Sequence, residues 1–342
     1  MDPITHGLLG ATLAKTTMWR RIPRGVGMIG AIGAMAPDLD IFIWSTSDPT
    51  VGWVYHRHFT HSLLFIPLGG LLAALPFLWL KQFRGYRLAV IVTAILGYAT
   101  HTLLDSLTTY GTQQLWPFAD TRVTWDAMPI VDPVYTLILL SGLLFTALTK
   151  KINRLRLTLA LALLYLGFGF WQHWRGVEAQ KQLLTARRHR VTRARVLPAP
   201  GWLMLWRSVY VADGRLYADG LRLPWFDAAR VLPGGSALTV TQADLPAQVQ
   251  ANAEAQRRFK IFEWFADGYL TRLAGNEYAI GDQRITAAPE SLVPLWGLQF
   301  AADGTPQRWF PVVPAGRDYR GLVQTLLFGD ERYQSMPGLS RP

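Results

Sequence analysis

SLLFIPLGGLLAALPFLWL, residues 62–80, is a run of nineteen residues without a charge. As a helix rising 1.5 Å per residue, it is long enough for a hydrocarbon core of about 30 Å. Similar apolar stretches run over 88–107, 133–149 and 157–174. A fifth, 25–44, is apolar except for Asp38 and Asp40 near its far end, and residues 4–14 form a shorter segment. So many long runs rarely coincide in a soluble fold. The sequence therefore predicts about five membrane helices plus one short half-span or re-entrant helix.

The remainder reads differently. Residues 175–342 lack such runs and carry 21 of the 34 Lys and Arg. Val209–Tyr217, Ala237–Thr241 and Tyr278–Ile285 have strand character, with Asp213-Gly214 and Asp219-Gly220 as turns. Leu245–Trp264 reads as a helix. The expected fold class is an all-α polytopic membrane bundle of about five to six helices with a C-terminal extramembrane α+β domain. The expected boundaries are 1–174 for the bundle, 175–195 for a basic linker or helix extension, and 196–342 for the soluble domain.

The 342-residue chain is 50% hydrophobic and 17% charged, which excludes a disordered protein. It has no Cys, which excludes disulfide scaffolds, thiolate metal sites and cysteine nucleophiles. The net charge of +11 suggests nucleic acid or anionic lipid as a partner, and position decides between them. In residues 1–174, eleven of the 13 basic residues fall in Lys15–Arg24, Lys81–Arg87 and Lys150–Arg156. The positive-inside rule makes these loops cytoplasmic. Loops 45–61 and 108–131, and everything after Trp174, then face outward. The charge is thus a topology signal and a lipid contact, and no nucleic-acid module is expected.

Five of the seven His lie in the first 101 residues, among Asp. The patches are Thr5-His6-Gly7, Pro37-Asp38-Leu39-Asp40, His56-Arg57-His58-Phe59-Thr60-His61-Ser62 and His101-Thr102-Leu103-Leu104-Asp105. The charge-derived topology brings all four to one outer face. His101 and Asp105, at i and i+4, share a helix face. Pro37 disfavours helix at Ala36 and frees Asp38 and Asp40 from strict helical geometry. Imidazoles and carboxylates without thiolates suit zinc or another divalent transition metal. The expected metal ligands are His6, Asp38, His56, His61, His101 and Asp105, enough for one to three ions. Two ions about 3.5–4 Å apart would suit displacement at phosphorus. Asp40 is either a ligand or the group that holds the attacking water. Arg57, the cation of its loop, is a candidate clamp on phosphate oxygens. His58 and Asp126 are left open, and Asp132 before Pro133 reads as a helix cap.

Thr5-His6-Gly7, Pro37-Asp38-Leu39-Asp40, His56-Arg57 followed by Thr60-His61-Ser62, and His101-x-x-x-Asp105 running on to Leu115-Trp116-Pro117-Phe118 resemble the YdjM-type family over about residues 1–145. That family comprises inner-membrane proteins described as metal-dependent hydrolases. Its pattern usually has Gly where this chain has His58. A more distant similarity is to zinc-dependent phospholipase C and related nucleases, which are helical and trinuclear in zinc. His6 and His101-x-x-x-Asp105 match their motifs, whereas the first Glu here is Glu178, so their later Glu ligand has no counterpart. The resemblance implies a bacterial inner-membrane protein, and with the apolar runs and loop charges it gives a multi-pass chain whose site and C-terminal domain face the periplasm. The ligand set predicts a metal-activated water acting on phosphate esters, and the depth of the site near the outer headgroup layer suggests a lipid or lipid-linked substrate. The alternatives are an ion, proton or metal transporter and a metal-stabilised membrane scaffold.

Overall fold

The computed structural model describes residues 1–22, 24–286, 288–307, 310–311 and 332–336. The chain divides into two compact units. One comprises Met1–Ile43 and Tyr55–Phe170, the other Trp44–Val54 and Trp171–Pro342. The segment Trp44–Val54 thus groups with the C-terminal residues although it lies early in the sequence.

The first unit is helical. Its elements begin with α1 (Pro3–Met18) and α2 (Val26–Met35), and α2 runs into a 3-10 helix over Ala36–Phe42. After the excursion into the other unit, which carries most of α3 (Thr50–Tyr55), come α4 (Ile66–Leu78), α5 (Arg87–Ser106) and α6 (Pro133–Thr149). The last helix, α7 (Asn153–Arg187), continues into the second unit. Local chemistry sets several ends. The Asp2 carboxylate accepts from the Thr5 amide at 3.0 Å ahead of Pro3. The Asp132 carboxylate accepts from the Tyr135 amide at 2.9 Å ahead of Pro133. Both follow the rule that an acidic cap precedes a first-turn proline.

Among the described residues, two helical stretches are long and apolar enough to cross a membrane, Lys81–Ser106 and Asn153–Arg187. A third crossing results if Thr50–His61 and Ile66–Leu78, bent by 89°, form one broken span. The expected count of five to six membrane helices is not confirmed. The apolar run 25–44 is divided between the ten-residue α2 and the 3-10 helix, because Pro37 has no amide to donate and the chain tightens there. The run 133–149 yields a 17-residue helix.

The first unit is drawn together where α1, α2 and α5 meet without side chains. A β-carbon on Gly10 would lie 2.4 Å from the Gly30 carbonyl oxygen, and one on Gly97 would lie 2.3 Å from that same oxygen. Glycine is required for this approach, since real β-carbons do not come so close. Gly10 is four residues after His6, and Gly97 is four before His101. The close crossing therefore sits one helical turn below both imidazoles. Beyond it, Ile22, Val26, Ile29, Phe77, Phe83 and Val90 form an apolar core.

The second unit is built on two antiparallel sheets. One has the order β1 (Val191–Pro198), β2 (Leu205–Ala212), β3 (Arg215–Arg222), β4 (Arg230–Leu238) and β9 (Gln334–Ser335). The other runs β5 (Leu270–Leu273), β6 (Asn276–Asp282), β7 (Trp296–Gln299) and β8 (Phe310–Pro311). The expected strand Val209–Tyr217 is a hairpin instead. Asp213 and Gly214, at φ 51° and 71°, form the two-residue turn between β2 and β3. The expected helix 245–264 breaks at Asn252 into α8 (Ala247–Ala251) and α9 (Ala253–Phe265), with the Asn252 side chain accepting from the Ala255 amide. Residues up to Arg187 continue α7, and β1 begins at Val191.

The segment Trp44–Val54 is clasped within this unit. Asp48 pairs with Arg257 and stands 3.7 Å from Arg258, whose guanidinium also donates to the Ser47 carbonyl at 2.9 Å. Trp53 stacks on Phe262 and Phe265 of α9, with ring centroids 4.8 and 5.6 Å away.

Candidate metal centre

His101 projects from α5 one turn before Asp105, and both are fully buried. The His101 Nδ1 lies 2.6 Å from the Ala34 carbonyl oxygen on α2. A carbonyl only accepts, so Nδ1 carries the proton and Nε2 presents a lone pair. His61 ends the 3-10 turn Phe59–His61 and is equally buried. Its Nδ1 lies 3.2 Å from Asp40 Oδ2 and 3.0 Å from the Thr60 hydroxyl oxygen. The Thr60 hydroxyl donates its own proton to Asp40 at 2.8 Å. The His61 Nδ1 is therefore also a donor, and its Nε2 also presents a lone pair.

These two Nε2 atoms face each other at 2.9 Å. At that distance either a proton is shared between the two rings or both lone pairs face a metal ion. Asp38 Oδ1 is 3.6 Å from His61 Nε2 and 3.4 Å from His101 Nε2. Asp105 Oδ2 is 3.4 Å from each and accepts no hydrogen bond of good geometry. Ligand atoms of Asp38, His61, His101 and Asp105 all lie within 4.8 Å of one another. Two imidazoles and two carboxylates with converging lone pairs fit a divalent ion of the zinc type. The outward-facing Nδ1 donors are the usual second contacts of metal-ligating imidazoles.

The other expected residues surround this set in distinct ways. Asp40 is 2% exposed: its Oδ1 meets His56 Nδ1 at 2.7 Å, and its Oδ2 accepts from the Arg57 amide at 2.9 Å as well as from Thr60. It stands behind His61 and His56, orienting both. His56 forms a second candidate group with Asp38 and Asp40, so Asp38 belongs to both groups. The His56 side chain is 24% exposed, whereas His61 and His101 show none of theirs. His6 Nε2 is 3.1 Å from Asp105 Oδ1, and its ring stacks on His101 at 3.6 Å. His6 adjoins the four-residue set without joining it, and its buried Nδ1 has no hydrogen-bond partner.

Arg57 is buried and sits at φ 66°. Its Nε is 3.0 Å from Asp105 Oδ2, one terminal nitrogen donates to the Thr108 hydroxyl at 2.8 Å, and the guanidinium lies over Tyr110 at 4.8 Å. His58 packs among Tyr55, Phe59 and Trp116 and joins neither candidate group. Asp126 is buried with φ 48° and also stands outside both.

Three participants went unassigned in the sequence. Thr60 was inside a quoted motif, but its bridging role depends on which way His61 turns. The Ala34 carbonyl leaves no side-chain trace at all. The Met1 amino group contacts Asp105 Oδ1, a pairing between groups 104 residues apart.

Comparison with known proteins gives the family of the N-terminal half. The description "YdjM inner membrane protein" matches residues 1–176. Inner membrane protein YbcI of Escherichia coli (strain K12) is 31% identical over 131 residues, covering 37% of this chain and 75% of that protein. No solved structure matches the chain. The matched region includes every residue of both candidate metal groups, and on these grounds the chain belongs to the YdjM inner membrane protein family, with a bacterial inner-membrane location.

Proposed function

We propose that the protein is a membrane-bound, metal-dependent hydrolase of phosphate esters in a lipid or lipid-linked substrate. The observation that carries this reading is the convergence of His61 Nε2 and His101 Nε2, 2.9 Å apart, with carboxylate oxygens of Asp38 and Asp105, all four ligand atoms within 4.8 Å of one another. Asp38, His61, His101 and Asp105 would hold the ion, zinc by donor type. A divalent ion there supplies Lewis acidity and eases the ionisation of water near neutral pH.

The chain's own residues do the rest. Asp40 and the Ala34 carbonyl fix the two imidazole tautomers. His6, Arg57 and the Met1 amino group hold Asp105, so its orientation is set before substrate arrives. His56 is the accessible imidazole beside the set, and its Nδ1 lies 2.7 Å from Asp40 Oδ1. It is the group placed to take or give a proton. Arg57 faces Asp105 in this arrangement and serves phosphate by balancing charge at the site. The lipid substrate rests on membrane location alone; the multi-pass topology rests on the apolar runs, and the periplasmic orientation of the site and second unit on the loop charges.

The test is metal analysis of the purified full chain. It is followed by hydrolysis of a chromogenic phosphodiester and of phospholipid vesicles, by wild type and by His101→Ala and Asp38→Ala. The expected result is bound divalent metal and activity in the wild type, with both lost in the variants. Wild-type protein without bound metal after growth and purification in zinc would remove this function.

A further inference from the structure

Between Arg156 and Arg175, α7 carries no Lys, Arg, Asp or Glu. These eighteen residues rise about 27 Å, close to the apolar thickness of a bilayer. Arg175 is therefore the first charge past the span. Trp171 and Trp174 just before it are 43% and 59% exposed. Tryptophan is enriched at this level of a membrane because its ring is apolar and its N–H is polar.

Arg175 does more than end the span. Its guanidinium lies over the Trp171 ring at 4.8 Å. One terminal nitrogen donates to the Pro224 carbonyl at 2.6 Å and the other to the Asp227 carbonyl at 2.7 Å. Those carbonyls bracket Trp225 and Phe226, between β3 and β4. Phe226 is 99% exposed and Trp225 44%. A wholly exposed Phe beside an exposed Trp is unusual on a water-facing loop. Here the loop is pinned to the helix at the residue that marks the lipid boundary.

We propose that Trp225 and Phe226 form an interfacial anchor that enters the lipid surface beside the exit of α7. It would hold the second unit against the membrane. The occupant is lipid, because the tip continues the aromatic level set by Trp171 and Trp174. The pin is a cation, which suits anionic headgroups. The expected depth is that of an interfacial apolar side chain, about 5–10 Å into the headgroup and acyl boundary.

The absence of Cys makes a direct measurement clean. Phe226→Cys and Ala186→Cys are each made in the full chain, spin-labelled and reconstituted into phosphatidylethanolamine–phosphatidylglycerol vesicles. Ala186 is an exposed α7 position eleven residues beyond Arg175, about 16 Å further from the membrane. Collision with oxygen, which partitions into lipid, is compared with collision with a water-soluble nickel chelate. The oxygen-to-nickel ratio is expected to be several-fold higher at 226 than at 186. It should fall toward the 186 value when Arg175→Ala releases the loop. Equal ratios at the two positions overturn the proposal. So does a label at 226 that is shielded from both colliders, which would mean a protein contact. A ratio at 226 that stays high without Arg175 overturns the pin.

Discussion

Arg207 in the second unit and Asp105 in the first are both fully buried charges, and their surroundings differ in kind. Arg207 donates to the carbonyls of Gln283, Pro289 and Ser291 and to the Gln283 side chain. Burial pushes its guanidinium down to about 10, against the pull of Asp219, Glu290 and Asp282, so it stays charged at neutral pH. Nearby, Asp219 accepts a two-pronged contact from Arg187 and a bond from the Gly234 amide. Donors meet acceptors throughout. Asp105 is met by Arg57 and His6, but on its other side potential metal ligands converge. Two imidazole lone pairs and oxygens of Asp38 and Asp105 point into one small volume. A polar network that supports a fold closes on itself, whereas one that could hold an ion brings its ligand atoms together.

The sharpest way to break this contrast is to remove one donor atom from the open network. His101→Ala and Asp38→Ala should take bound metal from stoichiometric to background, measured by elemental analysis, while the thermal transition of the second unit stays in place. Metal retained at full occupancy in both variants would mean that the convergence is not a binding site. The closed network should answer in the opposite currency. Arg207→Ala leaves several buried carbonyls unpaired and should lower stability by about 3–5 kcal/mol, read as a shift in denaturant midpoint. Metal content per folded molecule should be unchanged.

Asp40 sharpens the comparison from the side of the supporting residues. Asp40→Asn keeps the shape but weakens the hold on two imidazoles. It should loosen metal by about 10–100-fold in a chelator competition, with folding intact. An effect as large as that of His101→Ala would instead make Asp40 a ligand.

The smallest effect belongs to the clasp on Trp44–Val54. Arg257 and Arg258 hold the Glu254 carboxyl down to about 2. Burial raises Asp48, but bonds from Thr50 and Arg257 outweigh it and keep its carboxyl below the usual range. Carboxylates depressed in the folded state stabilise it above their unfolded values, near 4. That contribution vanishes as pH falls through the folded values. Amide exchange across 44–54 should therefore be protected evenly from pH 8 to about 5 and lose protection between about 4 and 2. The pairs are half exposed, so Asp48→Asn should cost less than about 1 kcal/mol at pH 7. Protection lost already near pH 6 would show that these carboxylates do not hold the loop.

Much of this was legible in the chain itself. The i,i+4 spacing of His101 and Asp105, the Pro37 break and the alternation of basic loops were enough to expect four distant patches at one place. Two kinds of information were not. Helix length was hidden because apolar runs such as 25–44 contain a change from α to 3-10 geometry that hydropathy does not register. The division between ligand and support was hidden because it turns on which ring nitrogen faces inward. For His101 that is decided by a backbone oxygen, and for His61 by Asp40 and a neighbouring hydroxyl. The pairing of Asp48 with Arg257, 209 residues apart, leaves no periodic mark of any kind.

That last pairing sets an order of events during biosynthesis. At about 5–20 residues per second, α9 is made roughly ten to forty seconds after Trp44–Val54 emerges. Asp40 and His56, which flank the segment in sequence, stay tethered to an unanchored stretch throughout that wait. A nascent polypeptide interrupted before α9 thus has every residue of both candidate metal groups, yet not the fastening of the segment that joins Asp40 to His56. Completion of the far end becomes a timer on the near one.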